Sequence, residues 1–188
     1  MQTKNKLAIF DLDGTLFDTK DVNYYAYKNS LSEYGVELEY KFFCDYCNGK
    51  KYNQFLPDIC GFNDDRIDLI HNKKKEIYSK YICKARINEN LFNIIELIKE
   101  DYYIALVTTA SNKNTYELLN YFKKNSCFDL ILTQDDIMNP KPDPEGFLLA
   151  LKHFNVTSNN CIIFEDSNVG VQAALKVTSN IFVTKGYN

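Results

Sequence analysis

Five short apolar runs stand out along the chain: Leu7-Ala8-Ile9-Phe10, Tyr103-Ile104-Ala105-Leu106-Val107, Leu130-Ile131-Leu132, Cys161-Ile162-Ile163-Phe164 and Ile181-Phe182-Val183. Each has the length of a strand buried on both faces, where polar alternation disappears because neither set of side chains meets water. Between the last four lie stretches with helical spacing, Lys113 to Phe122, Pro144 to Phe154 and Asn168 to Lys176. Asn88 to Glu100, with Leu91, Ile94, Ile95 and Ile98 on one face, adds a helix before the second run. Strands alternating with helices predict a parallel sheet covered by helices and joined by right-handed crossovers.

The interval between the first two runs is far longer than one crossover needs. It reads as four helices, Tyr24 to Tyr34, Tyr40 to Cys47, Tyr52 to Ile59 and Asp64 to Ile82, with Gly35, Gly49 and Gly61 at helix ends. Hinges are expected near Asp18 to Lys20 and Cys83 to Arg86. The predicted fold is α/β: a Rossmann-like parallel sheet core built from residues 1–18 and 86–188, interrupted by a small α-helical domain over 19–85.

Composition narrows the possible partners. The 188 residues include 25 acidic and 22 basic side chains, a net charge of -3 that offers no electrostatic grip on nucleic acid or an anionic membrane. Lys73-Lys74-Lys75, the one basic run, is expected to be a solvated helix face. No apolar segment approaches the roughly 18 residues of a membrane span, and the polar start Met1 to Lys6 leads into a strand rather than a signal-peptide core. A cytoplasmic protein is the expectation. Six cysteines are then reduced thiols; Cys44 and Cys47 form a C-x-x-C, but no second pair stands at zinc-site spacing.

In an open parallel sheet, ligands bind beyond the carboxyl ends of the strands. There the chain places Asp11 and Asp13, then Thr108-Thr109-Ala110-Ser111, Lys141-Pro142-Asp143-Pro144 and Glu165-Asp166-Ser167-Asn168. Four carboxylates, a hydroxyl and a lysine converge on one edge. Hard carboxylate oxygens suit Mg²⁺, a lysine and a hydroxyl suit phosphate oxygens, and a carboxylate can itself attack phosphorus. Taken singly, each group has a plainer explanation: Asp13-Gly14-Thr15 as a turn, Asp143 and Asp166-Ser167-Asn168 as helix caps. Their joint arrangement favours phosphoryl transfer.

The four segments Asp11-Leu12-Asp13-Gly14-Thr15, Leu106-Val107-Thr108-Thr109-Ala110-Ser111, Lys141-Pro142-Asp143-Pro144-Glu145 and Phe164-Glu165-Asp166-Ser167-Asn168-Val169-Gly170 resemble, in order and spacing, the four motifs of the haloacid dehalogenase-like phosphohydrolases. The helical insert is similar to the cap of their first subclass, which includes β-phosphoglucomutase and phosphoglycolate phosphatase relatives. The resemblance implies Asp11 as nucleophile and metal ligand, and Asp13 as general acid and base with its carbonyl on Mg²⁺. It further implies Thr108 and the backbone at Thr109 on the phosphate, Lys141 between nucleophile and phosphate, and Asp166 on the metal with Glu165 at or just beyond it.

Among the reactions of that family, a dehalogenase does not require Asp13. A phosphonatase uses a cap lysine, for which Lys50 and Lys51 are candidates by position only. Mutase relatives tend to carry a histidine shortly after the first motif and a Ser-Arg pair in the cap, where this chain has Asp21-Val22-Asn23-Tyr24 and Gly49-Lys50-Lys51-Tyr52. The expectation is therefore a monomeric, Mg²⁺-dependent phosphatase acting on a small phosphorylated metabolite. Asn23, Tyr24, Lys50 and Lys51 are its substrate-side candidates. A β-phosphoglucomutase-like mutase and a non-catalytic phosphate-binding protein are the alternatives.

Overall fold

β1 (Lys6–Phe10) lies at the centre of the main sheet of a computed structural model that describes residues 4–185 and 187. In chain order the other strands are β2 (Phe17–Asp18), β3 (Arg86–Ile87), β4 (Tyr102–Val107), β5 (Leu130–Leu132), β6 (Cys161–Glu165) and β7 (Ile181–Val183). Five of them form a parallel sheet in the order β5-β4-β1-β6-β7. These five match the apolar runs to within one residue. Register sets Phe10 level with Leu106 and Phe164. The ladder continues one bond further, Asp11 N donating to Phe164 O and Thr108 N to Leu132 O, so the strand-end residues leave the sheet in step. Strand order turns back between β1 and β6, the position where an open sheet forms its crevice.

The two-residue pair β2 and β3 was not apparent in the hydrophobic pattern. It is antiparallel, Phe17 opposite Ile87 and Asp18 opposite Arg86, with the Arg86 guanidinium on the Asp18 carboxylate. The chain divides here into two compact units, Met1–Asp18 with Arg86–Asn188 and Thr19–Ala85.

The 19–85 unit contains α1 (Lys20–Ser32), α2 (Tyr40–Phe42) running into a π-turn over Phe43–Cys47, a 3₁₀ turn at Tyr52–Gln54, α3 (Leu56–Cys60), and α4 (Arg66–Ile77) followed by 3₁₀ turns to Lys84. α1 starts four residues before the expected Tyr24: the presumed hinge residue Lys20 is helical, Asp21 complements the helix N-terminus and Val22 is buried. α4 ends five residues early, and the tighter turns after it bury Tyr78 and Ile82. Tyr24, Tyr27, Leu31, Phe43, Leu56 and Ile70 pack at the centre of this unit. His71 stacks on Tyr52 with centroids 3.8 Å apart and meets the Tyr27 hydroxyl at 3.0 Å; burial pushes its imidazole down to about 3, so it is a neutral packing group. The solvated-face reading of Lys73-Lys74-Lys75 fails at its centre. Lys74 is 8% exposed, with Nζ 2.5 Å from Asn23 Oδ1 and above the rings of Tyr27 and Tyr78.

In the sheet-bearing unit, α5 (Glu89–Ile98), α6 (Asn112–Tyr121), α7 (Glu145–Phe154) and α8 (Asn168–Leu175) follow β3, β4, β5 and β6. Side-chain caps start three of them: Asn88 accepts from Leu91 N, Ser111 from Asn114 N, and Ser167 from Gly170 N. α5 buries Leu91, Phe92 and Ile95, the face that its spacing predicts. Phe147, Ala150 and Leu151 of α7, with Ala173 and Ala174 of α8, pack with sheet residues Ile9, Val107 and Ile163.

Candidate active site

Asp11 leaves the end of β1, and Lys141 reaches it from the loop before α7. The Lys141 side chain is 8% exposed, and its ammonium donates to Asp11 Oδ1 at 2.6 Å, Glu165 Oε1 at 2.6 Å and the Val107 carbonyl at 3.2 Å. Three acceptors match the three N–H bonds of an ammonium. Glu165, 1% exposed, accepts on its other oxygen from Asp166 N (2.9 Å), Ser167 N (2.9 Å) and Ser167 Oγ (3.0 Å). This inward turn depends on glycine at 170, where a Cβ would stand 1.8 Å from Glu165 Oε1.

Asp166 is oriented separately, its Oδ1 accepting from Thr15 Oγ1 at 3.0 Å. Its Oδ2 lies against Gly14, whose φ of +88° and a Cβ clash at 2.1 Å both exclude a side chain there. The ligand oxygens of Asp11, Glu165 and Asp166 come within 4.8 Å of one another. Asp13 is half-buried on the turn whose Gly14 N donates to Phe17 O at 2.7 Å, and its charge bears on Asp166. Thr108 is buried, its Oγ1 oriented by a bond from Ala110 N at 3.0 Å; Thr109 is exposed. Thr108, Thr109 and Lys141 share a cavity of about 120 Å³ with Gln134 and Asn139.

Charge decides what this cluster can hold. Three buried or half-buried carboxylates face one ammonium; with all three ionised, two negative charges are left over, the charge of one divalent cation. Burial raises the Asp11 carboxyl well above the usual carboxylate range, opposed by Lys141 and reinforced by Glu165 and Asp166. Burial works against the Lys141 ammonium, but Asp11 and Glu165 outweigh it and hold its pKa above the ordinary lysine value. Asp166 is pushed up to about 6 by burial and then by Glu165. All-oxygen donors with excess negative charge fit Mg²⁺.

A proton and a bound divalent cation would compete for Asp166. A carboxyl raised by folding adds stability at low pH and loses it as pH rises through about 6, whereas cation binding needs the ionised form. Mg²⁺ affinity measured by thermal shift should therefore strengthen by at least about tenfold between pH 5 and pH 7.

The substrate-side candidates fare differently. Tyr24 is 5% exposed, donates to Leu38 O at 3.2 Å and packs in the core of the 19–85 unit. The half-buried Asn23 amide donates to Thr19 O at 3.1 Å and accepts from Lys74 within the same unit. Lys50 and Lys51 are exposed. Thr15, Ser167 and Gly170 were missed as site residues; each is in or beside a recognised motif, but their roles are hydrogen bonds and clearances rather than charge. No helix among the described residues is long and apolar enough to cross a membrane.

Residues 8–183 match the family model of haloacid dehalogenase-like hydrolases. A phosphorylated carbohydrates phosphatase of Thermotoga maritima is 29% identical over 89% of this chain and 79% of its own length. A fructose-1-phosphate phosphatase of Escherichia coli is 25% identical over 88% of this chain and 89% of its own. A crystal structure of a candidate β-phosphoglucomutase from Thermotoga maritima superposes with a TM-score of 0.75 at 26% identity, covering 97% of this chain and 87% of that one.

Proposed function

Because the chain belongs to the haloacid dehalogenase-like hydrolases and is a phosphoric monoester hydrolase among them, we propose that it is a Mg²⁺-dependent phosphatase of a small phosphorylated metabolite, a sugar phosphate first, working through an aspartyl-phosphate. The observation that carries this reading is the buried Lys141 ammonium on Asp11, with Asp166 beside them. Lysine pairing favours the ionised carboxylate at a site whose burial disfavours it, and an ionised Asp11 is a nucleophile.

Asp11 attacks phosphorus, forming an acyl phosphate as the ester P–O bond breaks, and Asp13 gives its proton to the departing alkoxide. Water then attacks the acyl phosphate and returns a proton to Asp13, releasing phosphate and restoring Asp11. The Thr108 hydroxyl and the backbone at Thr109 hold the phosphoryl oxygens, while the Lys141 ammonium, bonded to Asp11, offsets the repulsion between that carboxylate and the phosphate. Asp11, Asp166 and the Asp13 carbonyl, with Glu165 at or just beyond them, are the groups to hold Mg²⁺. When bound, the cation supplies charge neutralisation at the phosphoryl oxygens. We assign the 19–85 unit the part of a cap that selects substrate, with the exposed Lys50 and Lys51 as its cationic candidates for an anionic ester.

The test is phosphate release from p-nitrophenyl phosphate and a panel of phosphorylated sugars. Mg²⁺-dependent release abolished by a chelator is expected. Conversion of a hexose 1-phosphate to its 6-phosphate without phosphate release identifies a mutase, and inertness across the panel identifies a non-catalytic phosphate binder.

A further inference from the structure

Asp166 is braced from a direction that the motif chemistry does not include. The segment that holds it, Gly14 and Thr15, is itself held from outside. The Thr15 carbonyl accepts two bonds, from Asn88 Nδ2 at 3.2 Å and from the Tyr187 hydroxyl at 3.0 Å. The Thr15 side chain is fully buried, and its hydroxyl donates to Asp166. Two groups from distant parts of the sequence thus meet on one carbonyl, and the residue that carries it aims one hydroxyl at one carboxylate oxygen.

A second tie reaches the neighbouring residue from the same stretch of chain. Thr184 N and Thr184 Oγ1 both bond the Glu165 carbonyl, at 2.7 and 3.3 Å. Thr184 therefore fixes the backbone immediately before Asp166, while Tyr187 fixes the peptide opposite its side chain. The Tyr187 ring is in turn placed by the Arg86 guanidinium, 5.8 Å from its centroid, and Arg86 is paired to Asp18. A side chain that only filled space here would not need a hydroxyl directed at a carbonyl that already has one donor.

We propose that Tyr187, acting through Thr15, is a positioning residue for Asp166: the phenol fixes the Thr15 peptide, Thr15 Oγ1 fixes Asp166 Oδ1, and the fixed carboxylate sets divalent-cation affinity. This rests on the reading of Asp166 as a metal ligand. Groups that orient a ligand from behind typically change metal affinity about 10- to 100-fold, and the effect of Tyr187, one bond more remote, is set lower.

The test is titration of the metal-free full chain with Mg²⁺, followed by the thermal midpoint. Thr15→Val, which keeps shape and removes the hydroxyl, should weaken Mg²⁺ binding about tenfold or more. Tyr187→Phe should weaken it about threefold, and Thr15→Ser should bind close to wild type. The activity deficit of Tyr187→Phe should be recovered by raising Mg²⁺. Asp166→Asn separates the two levels of the argument. If it loses Mg²⁺ while Thr15→Val and Tyr187→Phe bind as wild type, the positioning role is overturned and the metal reading stands. If Asp166→Asn binds Mg²⁺ undiminished, the reading of Asp166 falls and this inference with it. A Tyr187→Phe protein with a lower metal-free midpoint but unchanged Mg²⁺ affinity would make Tyr187 a brace for stability alone, which also overturns the proposal.

Discussion

Asp11→Asn should lower kcat for phosphate ester hydrolysis by at least about 10⁴-fold, the scale on which loss of a covalent nucleophile is felt. An amide is nearly isosteric with the carboxylate but does not displace an alkoxide from phosphorus. The same substitution should leave the metal-free protein at least as stable as the original. Burial together with Glu165 and Asp166 disfavours the ionised Asp11, so a neutral replacement removes a repulsion, and Lys141 retains Glu165 as a partner at 2.6 Å. Steady-state kinetics and a thermal melt in chelator check both halves. Retention of more than a few per cent of activity would remove Asp11 as nucleophile, and a collapse in the melting temperature would mean that the rate loss reports unfolding.

Lys141→Met should be the most destabilising substitution at this site. It removes the ammonium bound to Asp11, Glu165 and Val107 O and leaves three crowded carboxylates with no fixed cation. Breaking a buried ion pair from one side costs about 3–5 kcal/mol. The sign with pH follows from the raised carboxyls of Asp11 and Asp166. At neutral pH they must ionise without a counter-charge, whereas near pH 5 protonation relieves them, so the stability gap to wild type should narrow as pH falls. Urea unfolding at pH 7.5 and pH 5 measures that gap. An equal deficit at both values would mean that Lys141 contributes packing through its stem rather than charge. Loss of hydrolysis should accompany the substitution at either pH.

The strands were legible because a strand buried on both faces writes itself as a short contiguous apolar run, and five such runs mark β1, β4, β5, β6 and β7. Helices of the sheet-bearing unit were nearly as clear from their apolar spacing, and the structure adds the side-chain caps Asn88, Ser111 and Ser167 at the starts of three of them. The 19–85 unit was less legible. Its helices are short, α2 passes into a π-turn and α4 tightens into 3₁₀ turns, and in so small a unit packing overrides the 3.6-residue period. Lys74 shows the same limit, because a basic run has the composition of a solvated face while Asn23, Tyr27 and Tyr78 supply a buried place for its middle member.

The sequence by itself determined which chemistry stands at the strand ends: Asp11, Asp13, Thr108, Lys141, Glu165 and Asp166 are all within or next to elements that local pattern reveals. Only the tertiary structure decided how they are held. Lys141 is placed by two carboxylates 130 and 24 residues away, Asp166 by a hydroxyl 151 residues away, and Thr15 by a phenol 172 residues away. Such contacts leave no periodic trace, because each partner's local spacing serves its own strand, turn or cap. The pairing exists only after the sheet has set Phe10 level with Phe164 and brought the ends of β1 and β6 together.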